Sequence, residues 1–375
     1  MAVNETTLSN QVGALNQSAA DSPNVLFFIP DISGFTKFIN ETEISHSQHI
    51  ISELLELLVD SNSLGLTVSE FEGDAVFFYR FGSVPSLNDF TEQARRMFVN
   101  FHSHIRRYET HRLCQCGACK TAHNLTLKII AHYGEAASMK VKDHSKLIGT
   151  GVITVHRLLK NSVNGSEYML LTNSLLGSVE NKNGEIAEFN AGSDNYDEIG
   201  NIEYKFMSLE KFKSEIKDEE PEEFRIDNPV KVFEYTKTID MAYEEVYAIV
   251  IDFSHRTKWV HGVKEIKLFD KKLNQAGTRH LCVMEKGSDN DIITASPKVT
   301  ENTIEFWEID RKKIGGCHFI SEKISARQSK FTVEFYLKNN FLLKAMFKIM
   351  MAKKIEAALT TSADNLKEYC ESSKN

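Results

Sequence analysis

Two aspartates in the first eighty residues stand where apolar runs end. Asp31 closes the run "NVLFFIP" and Asp74 sits inside "SEFEGDAVFFYRF", just after Glu70 and Gly73. The unbroken stretch Val25, Leu26, Phe27, Phe28, Ile29 reads as a strand covered on both faces. Beyond it Gly34 lets the backbone turn, and Phe35, Phe38 and Ile39 follow at helical spacing. If the two strands pair, both carboxylates come within reach of one ion. Hard oxygen donors beside glycine-turn amides suit Mg²⁺ or Mn²⁺ carrying phosphates. The plainer use of each residue is a helix N-cap for Asp31 and a turn for Asp74.

A second group is sulfur-based. "HRLCQCGACKTAH" brings Cys114, Cys116 and Cys119 into one loop, flanked by His111 and His123. Three thiolates and one imidazole would satisfy a structural, tetrahedral Zn²⁺, while reduced cysteines packing as small hydrophobes is the competing use. Cys282, Cys317 and Cys370 are scattered, which suits a reducing compartment better than a disulfide framework. His255, His261 and His280 show no metal-ligand spacing.

The elements that must position these groups belong to a folded chain of two-domain size. It has 375 residues, 42% hydrophobic and 26% charged, with a net charge of -8 that argues against a generic polyanion binder but leaves room for a local basic face, so no nucleic acid partner is expected. Residues 1–23 are polar and small, without a basic start or an apolar core, and read as a flexible tail. No run approaches the ~18 apolar residues of a spanning helix. The expectation is therefore no transmembrane segment and a cytoplasmic address.

From residue 24 the periodicities give β-α-β-β-α-β-α, with later strands at Tyr168 to Thr172 and Ile202 to Met207. Acidic residues crowd around Pro221, placing a linker at 211–228. Residues 229–372 then give a strand, a short helix, five further strand candidates and one long amphipathic helix at the end. In "FLLKAMFKIMMAKK" lysines are mixed with large apolar residues. That text fits a membrane-surface helix, or a helix gripping the sheet with its lysines wet; the need for a lid favours the second.

Four segments resemble the catalytic domain of class III adenylate and guanylate cyclases: "DISGFT" at Asp31 to Thr36, "EFEGDAVFF" at Glu70 to Phe78, "LKIIAHYGEA" at Leu127 to Ala136, and "GTGVITVHRLL" from Gly149. The resemblance covers about residues 24–210. It implies an α+β protein whose first domain is a ferredoxin-like α/β sandwich and which pairs as a homodimer. Asp31 and Asp74 would hold two metal ions, with Gly34, Phe35 and Thr36 at a bound nucleoside triphosphate. Glu70 falls at the purine-selecting position, where a carboxylate can accept from guanine N1–H and N2–H. Thr150 takes the second purine position, Lys205 stands nearest the family's late lysine, and Arg157 would stabilise charge in the transition state. The reaction implied is cyclisation of GTP or ATP with loss of pyrophosphate. One departure counts against it: Ile153 occupies the place of the family's asparagine, and losing such a donor costs ~10²–10³ in rate. A catalytically degenerate, nucleotide-binding regulator is one rival reading; a carrier of lipid or another hydrophobic small molecule, acting through the second domain, is the other.

"DFSHRTKWVHGVKEIKLFD" followed by "AGTRHLCVME" resembles the SRPBCC (START-like) helix-grip superfamily over residues 229–372. That resemblance implies a pocket for a lipid or other hydrophobic small molecule, lined by Trp259, Phe306 and Trp307. Ordinary core packing is the alternative for each of the three.

Overall fold

The computed structural model describes residues 23–42, 44–110, 112–142, 144–179, 189–216, 224–269 and 276–372. The expected tail (1–22), the middle of the expected linker (217–223) and His111 lie outside the described residues. The chain divides into two compact units, and not at a single cut. One comprises the chain through Phe35, Leu54–His102 and Thr126–Ile216; the other comprises Thr36–Glu53, Ser103–Leu125 and Lys217–Asn375. The first unit thus continues past the expected boundary at 210, because Glu210–Glu215 is a 3-10 helix that buries Phe212.

The first unit is built on β1 (Asn24–Ser33), β2 (Thr67–Glu72), β3 (Ala75–Phe81), β4 (Thr126–Glu135), a separate hairpin of β5 (Ala137–Val141) and β6 (His144–Ile148), then β7 (Tyr168–Thr172), β8 (Asn190–Tyr196) and β9 (Gly200–Ser208). The seven-stranded sheet runs β2-β3-β1-β4-β7-β9-β8, antiparallel except for β4 against β7. Its first four strands lie in the order β4-β1-β3-β2 and, with their helices, make a ferredoxin-like β-α-β-β-α-β unit. β1 is central and buried from Val25 through Ile32, which is why its text does not alternate. Phe27 and Ile29 face Phe77, Ile130, Leu170 and the helix Thr150–Leu158, whereas Phe28 on the other face stacks on Phe90. That helix can approach β4 closely because two glycines meet. A Cβ on Gly151 would lie 2.8 Å from both the Gly134 carbonyl carbon and the Phe27 ring.

The second unit's sheet is antiparallel throughout and comprises β10 (Pro229–Ile239), β11 (Val263–Leu268), β12 (Arg279–Met284), β13 (Asn290–Thr294), β14 (Lys298–Val299), β15 (Thr303–Asp310), β16 (Gly315–Ser325) and β17 (Gln328–Lys338). The order is β10-β17-β16-β15-β13-β12-β11, with β14 on β15. Its core joins Phe306, Phe319, Phe331 and Val333 to Tyr247 and Val250 of the helix Tyr243–Ile251, and to Trp259 and Leu366. Leu113 is buried in the same core, and the Tyr247 hydroxyl donates to its carbonyl.

The terminal helix departs from expectation. It is two helices, Phe341–Met350 and Ala352–Ser372, broken at Met351 (φ -125°, ψ -23°). Leu366 and Cys370 of the second reach the core. The first buries only Phe347 and leaves Phe341 82% and Ile349 85% exposed. Among the described residues no helix is long and apolar enough to cross a membrane.

Candidate functional site

The β1–β3 register sets Asp31 opposite Ala75, so Asp74 stands at the same strand end, and the Ile32 N–H donates to the Asp74 carbonyl at 3.0 Å. Gly73, at φ +63°, supplies the left-handed turn that brings Asp74 there. Asp31 is only 8% exposed. Burial pushes the Asp74 carboxyl up to about 6, and the Asp31 charge adds to the rise, with the backbone and Lys128 opposing it. On the other side of β1 the register sets Lys128 directly opposite Asp31, and Nζ reaches Oδ2 at 2.8 Å while also donating to the Leu159 carbonyl at 3.0 Å. Sequence reasoning did not single out Lys128; the pairing becomes visible only once β1 and β4 are in register.

The same sheet face carries Glu70 and Glu72, whose β3 partners are Phe77 and Ala75. Glu70 pairs with Lys146 at 3.5 Å and Glu72 with His156 Nδ1 at 3.1 Å. Burial raises the Glu72 carboxyl, neighbouring Glu70 adds to this, and His156 and Lys146 pull it back. One end of this face is thus a patch of four carboxylates edged by three basic side chains. Gly34 makes the turn after β1, Phe35 and Thr36 begin the helix Phe35–Glu41, and Thr150 is exposed at the start of its helix. Ile153 and Arg157, one turn apart, are both exposed; the Arg157 guanidinium reaches Glu198 at 3.3 Å. Lys205 does not join them. It pairs with Leu171, next to the core residue Leu170, and side chains alternate across a strand, so it projects from the opposite face.

His132, in the segment resembling the cyclase strand, is buried with Nδ1 3.0 Å from Thr172 Oγ1 and 3.2 Å from Ser174 Oγ. Burial holds its imidazole down at about 4. The unfolded chain takes up this proton near 6.5 and the native state does not. The stability His132 contributes is therefore present above about pH 6.5 and lost as pH falls towards 4, at up to about 1.4 kcal/mol per pH unit. His132→Gln is expected to flatten the stability–pH curve in that window relative to wild type, measured by urea unfolding. Parallel curves would contradict the assignment.

In the second unit Trp259 and Phe306 lie in the core, but Trp307 does not join them. Adjacent strand residues face opposite ways, and Trp307 stacks on His318 (4.5 Å) and lies tilted against Tyr336 (4.8 Å) on the other face. The three cysteines do converge, and with a histidine that the local sequence did not suggest. His46, in the first turn of the helix Ile44–Asp60, places Nδ1 3.2 Å from Cys116 Sγ, 3.3 Å from Cys114 Sγ and 3.7 Å from Cys119 Sγ. His123 is exposed.

Residues 51–168 match a family described as "Protein of unknown function (DUF2652)". A curated relative, "Uncharacterized protein Rv2561/Rv2562" of Mycobacterium tuberculosis, is 38% identical over 124 residues, covering 32% of this chain and 57% of that protein. The chain thus spans little more than half of that relative's length. Among solved structures, the guanylate cyclase domain of RhGC from Catenaria anguillulae in complex with GTP is 18% identical, with 50% of this chain and 97% of that one covered and a TM-score of 0.36. The adenylyl cyclase CyaB from P. aeruginosa is 16% identical, with 49% and 94% covered and a TM-score of 0.34.

Proposed function

We propose that the first unit is a divergent class III cyclase-like domain that binds a purine nucleoside triphosphate through a divalent cation held by Asp31 and Asp74. The observation that carries this reading is the strand register that sets both carboxylates at one end of the sheet, close enough for one to oppose ionisation of the other. The donor set fits Mg²⁺ or Mn²⁺, because hard carboxylate oxygens are what these ions take. A bound cation would offset the repulsion between the two charges and neutralise a triphosphate. Glu70, on the same face, would accept from guanine and favours GTP over ATP, with Thr150 as the second base contact. A homodimer through this domain belongs to the same reading.

A second reading, binding with little or no turnover, is favoured by Lys128. Asp31, Asp74 and Lys128 together carry a net charge of -1, which suits one divalent ion better than two. Ile153 cannot donate a hydrogen bond, and Arg157 is already paired with Glu198. The second unit, one antiparallel sheet with the last helix against its core, would serve as a START-like module for a hydrophobic regulator.

Calorimetry with Mn²⁺ and a non-hydrolysable GTP analogue tests the site. Binding is expected for wild type and lost in the Asp31→Ala, Asp74→Ala double variant; equal affinities would sink the proposal. Mass spectrometry of wild type incubated with each nucleoside triphosphate and Mn²⁺ decides between the readings. A cyclic product abolished by Asp74→Ala identifies an enzyme, and binding without product identifies the regulator.

A further inference from the structure

We propose that His46, Cys114, Cys116 and Cys119 bind a structural zinc ion in the second unit. The four ligand atoms all lie within 4.8 Å of one another. Tetrahedral zinc, with Zn–S near 2.3 Å and Zn–N near 2.0–2.1 Å, requires an N···S separation of about 3.6 Å. The distances from His46 Nδ1 to the three sulfurs, 3.2, 3.3 and 3.7 Å, bracket that value. None of the three cysteines is in a disulfide, and Cys114 and Cys119 are buried. Three soft thiolates with one imidazole select zinc over the oxygen-seeking Mg²⁺ and Mn²⁺.

The surroundings are those of a metal knuckle. The Cys116 N–H donates to Cys114 Sγ and the Cys119 N–H to Cys116 Sγ, each at 3.4 Å, so backbone amides orient two of the sulfurs. Four protein ligands complete the tetrahedron and leave no position for substrate, which makes the role architectural. Zinc would cross-link His46 to a loop 68 residues further on, and the residue before that loop's first cysteine is the core residue Leu113.

Protein purified without chelator is expected to carry about one zinc per chain by elemental analysis. Exchange with Co²⁺ is expected to give the visible spectrum of a tetrahedral thiolate site. His46→Cys should keep the metal and raise the sulfur-to-cobalt charge-transfer intensity by about a third, as four thiolates replace three. Cys116→Ser should lose it. Wild-type protein with zinc far below stoichiometry and no tetrahedral cobalt spectrum would overturn the assignment, whether or not the variants fold.

A separate observation carries a second proposal: we infer that the helix Phe341–Met350 docks on an anionic lipid surface. Phe341, Leu342, Met346, Ile349, Met350 and the following Met351 are all exposed. Lys344, Lys348, Lys353 and Lys354 punctuate the same stretch, which has no acidic residue from Phe341 through Ile355. Phe347 anchors the helix on its inner side, stacking on Phe335 at 5.5 Å and lying 6.1 Å from Phe233. Lysines beside an outward apolar face match a bilayer carrying negative headgroups, which reverses the gripping role the sequence suggested. Co-sedimentation with phosphatidylglycerol–phosphatidylcholine vesicles tests this. The bound fraction should fall at high salt, with pure phosphatidylcholine, and in Ile349→Asp, an exposed position whose substitution leaves the core untouched. No vesicle binding by wild type, or self-association without vesicles that Ile349→Asp abolishes, would overturn it.

Discussion

Glu308→Ala is expected to destabilise the second unit by about 3–5 kcal/mol. Glu308 and Arg256 form a two-pronged ion pair whose side chains are only 5% and 3% exposed, with Nη1 donating to Oε2 at 3.0 Å and Nη2 to Oε1. The guanidinium lies against Trp259, Phe253 and Phe319, at 5.2, 5.5 and 5.9 Å from the ring centres. Burial works against a charge on Glu308, yet the Arg256 guanidinium outweighs it and holds the carboxyl below its usual range. His280 cannot replace the lost partner, because burial keeps its own imidazole down at about 4 and hence neutral. Removing Glu308 therefore strands a guanidinium among aromatic rings. The double change Arg256→Met, Glu308→Leu should recover most of the loss, since apolar replacement of a buried pair is often neutral or stabilising. Urea unfolding followed by tryptophan fluorescence, which Trp259 reports from the same core, measures both. A single-variant loss below about 1 kcal/mol would show that water reaches the pair.

Lys128→Met is the counterpart in the first unit, with an expected cost of about 2–3 kcal/mol without metal. The figure sits below the ~3–5 kcal/mol of a fully enclosed pair because both side chains keep some contact with water. What makes this variant informative is its response to Mn²⁺. With the ammonium gone, Asp31 faces Asp74 uncompensated, and a cation between them takes over the neutralising role. At a hundred times its dissociation constant an ion adds about 2.7 kcal/mol to the native state. Mn²⁺ should thus raise the melting temperature of Lys128→Met well above its effect on wild type. Equal shifts in the two proteins would mean that the ion does not bind at Asp31.

What the sequence disclosed follows the range of each signal. Asp31 and Asp74 were legible because each is marked locally, by an apolar run before it or a glycine beside it. Lys128 was not, since its meaning lies in a cross-strand register that no short window contains. His46 was hidden for the same reason, 68 residues from Cys114, while the exposed His123 drew attention by adjacency. β8 escaped because "NAGSDNY" is a strand with no buried residue. Trp307 could have been set apart from Phe306: in "TIEFWEID" the two are neighbours, and a strand cannot turn both rings the same way. The break at Met351 was masked by an apolar text that continues unchanged through it.

The burial of Leu113 in the second unit has a consequence for the order in which the protein is made. Tyr247, whose hydroxyl holds the Leu113 carbonyl, is translated 134 residues later. At ~5–20 residues per second that interval lasts roughly 7–27 s. Throughout it, the leucine and the three thiols beyond it have been synthesised, but the sheet that will cover Leu113 has not. Residues 229–372 made alone would meet the reverse difficulty, a core lacking one of its side chains. The early segment waits for the late one, so the second unit can close only after Leu366 and Cys370 have left the ribosome.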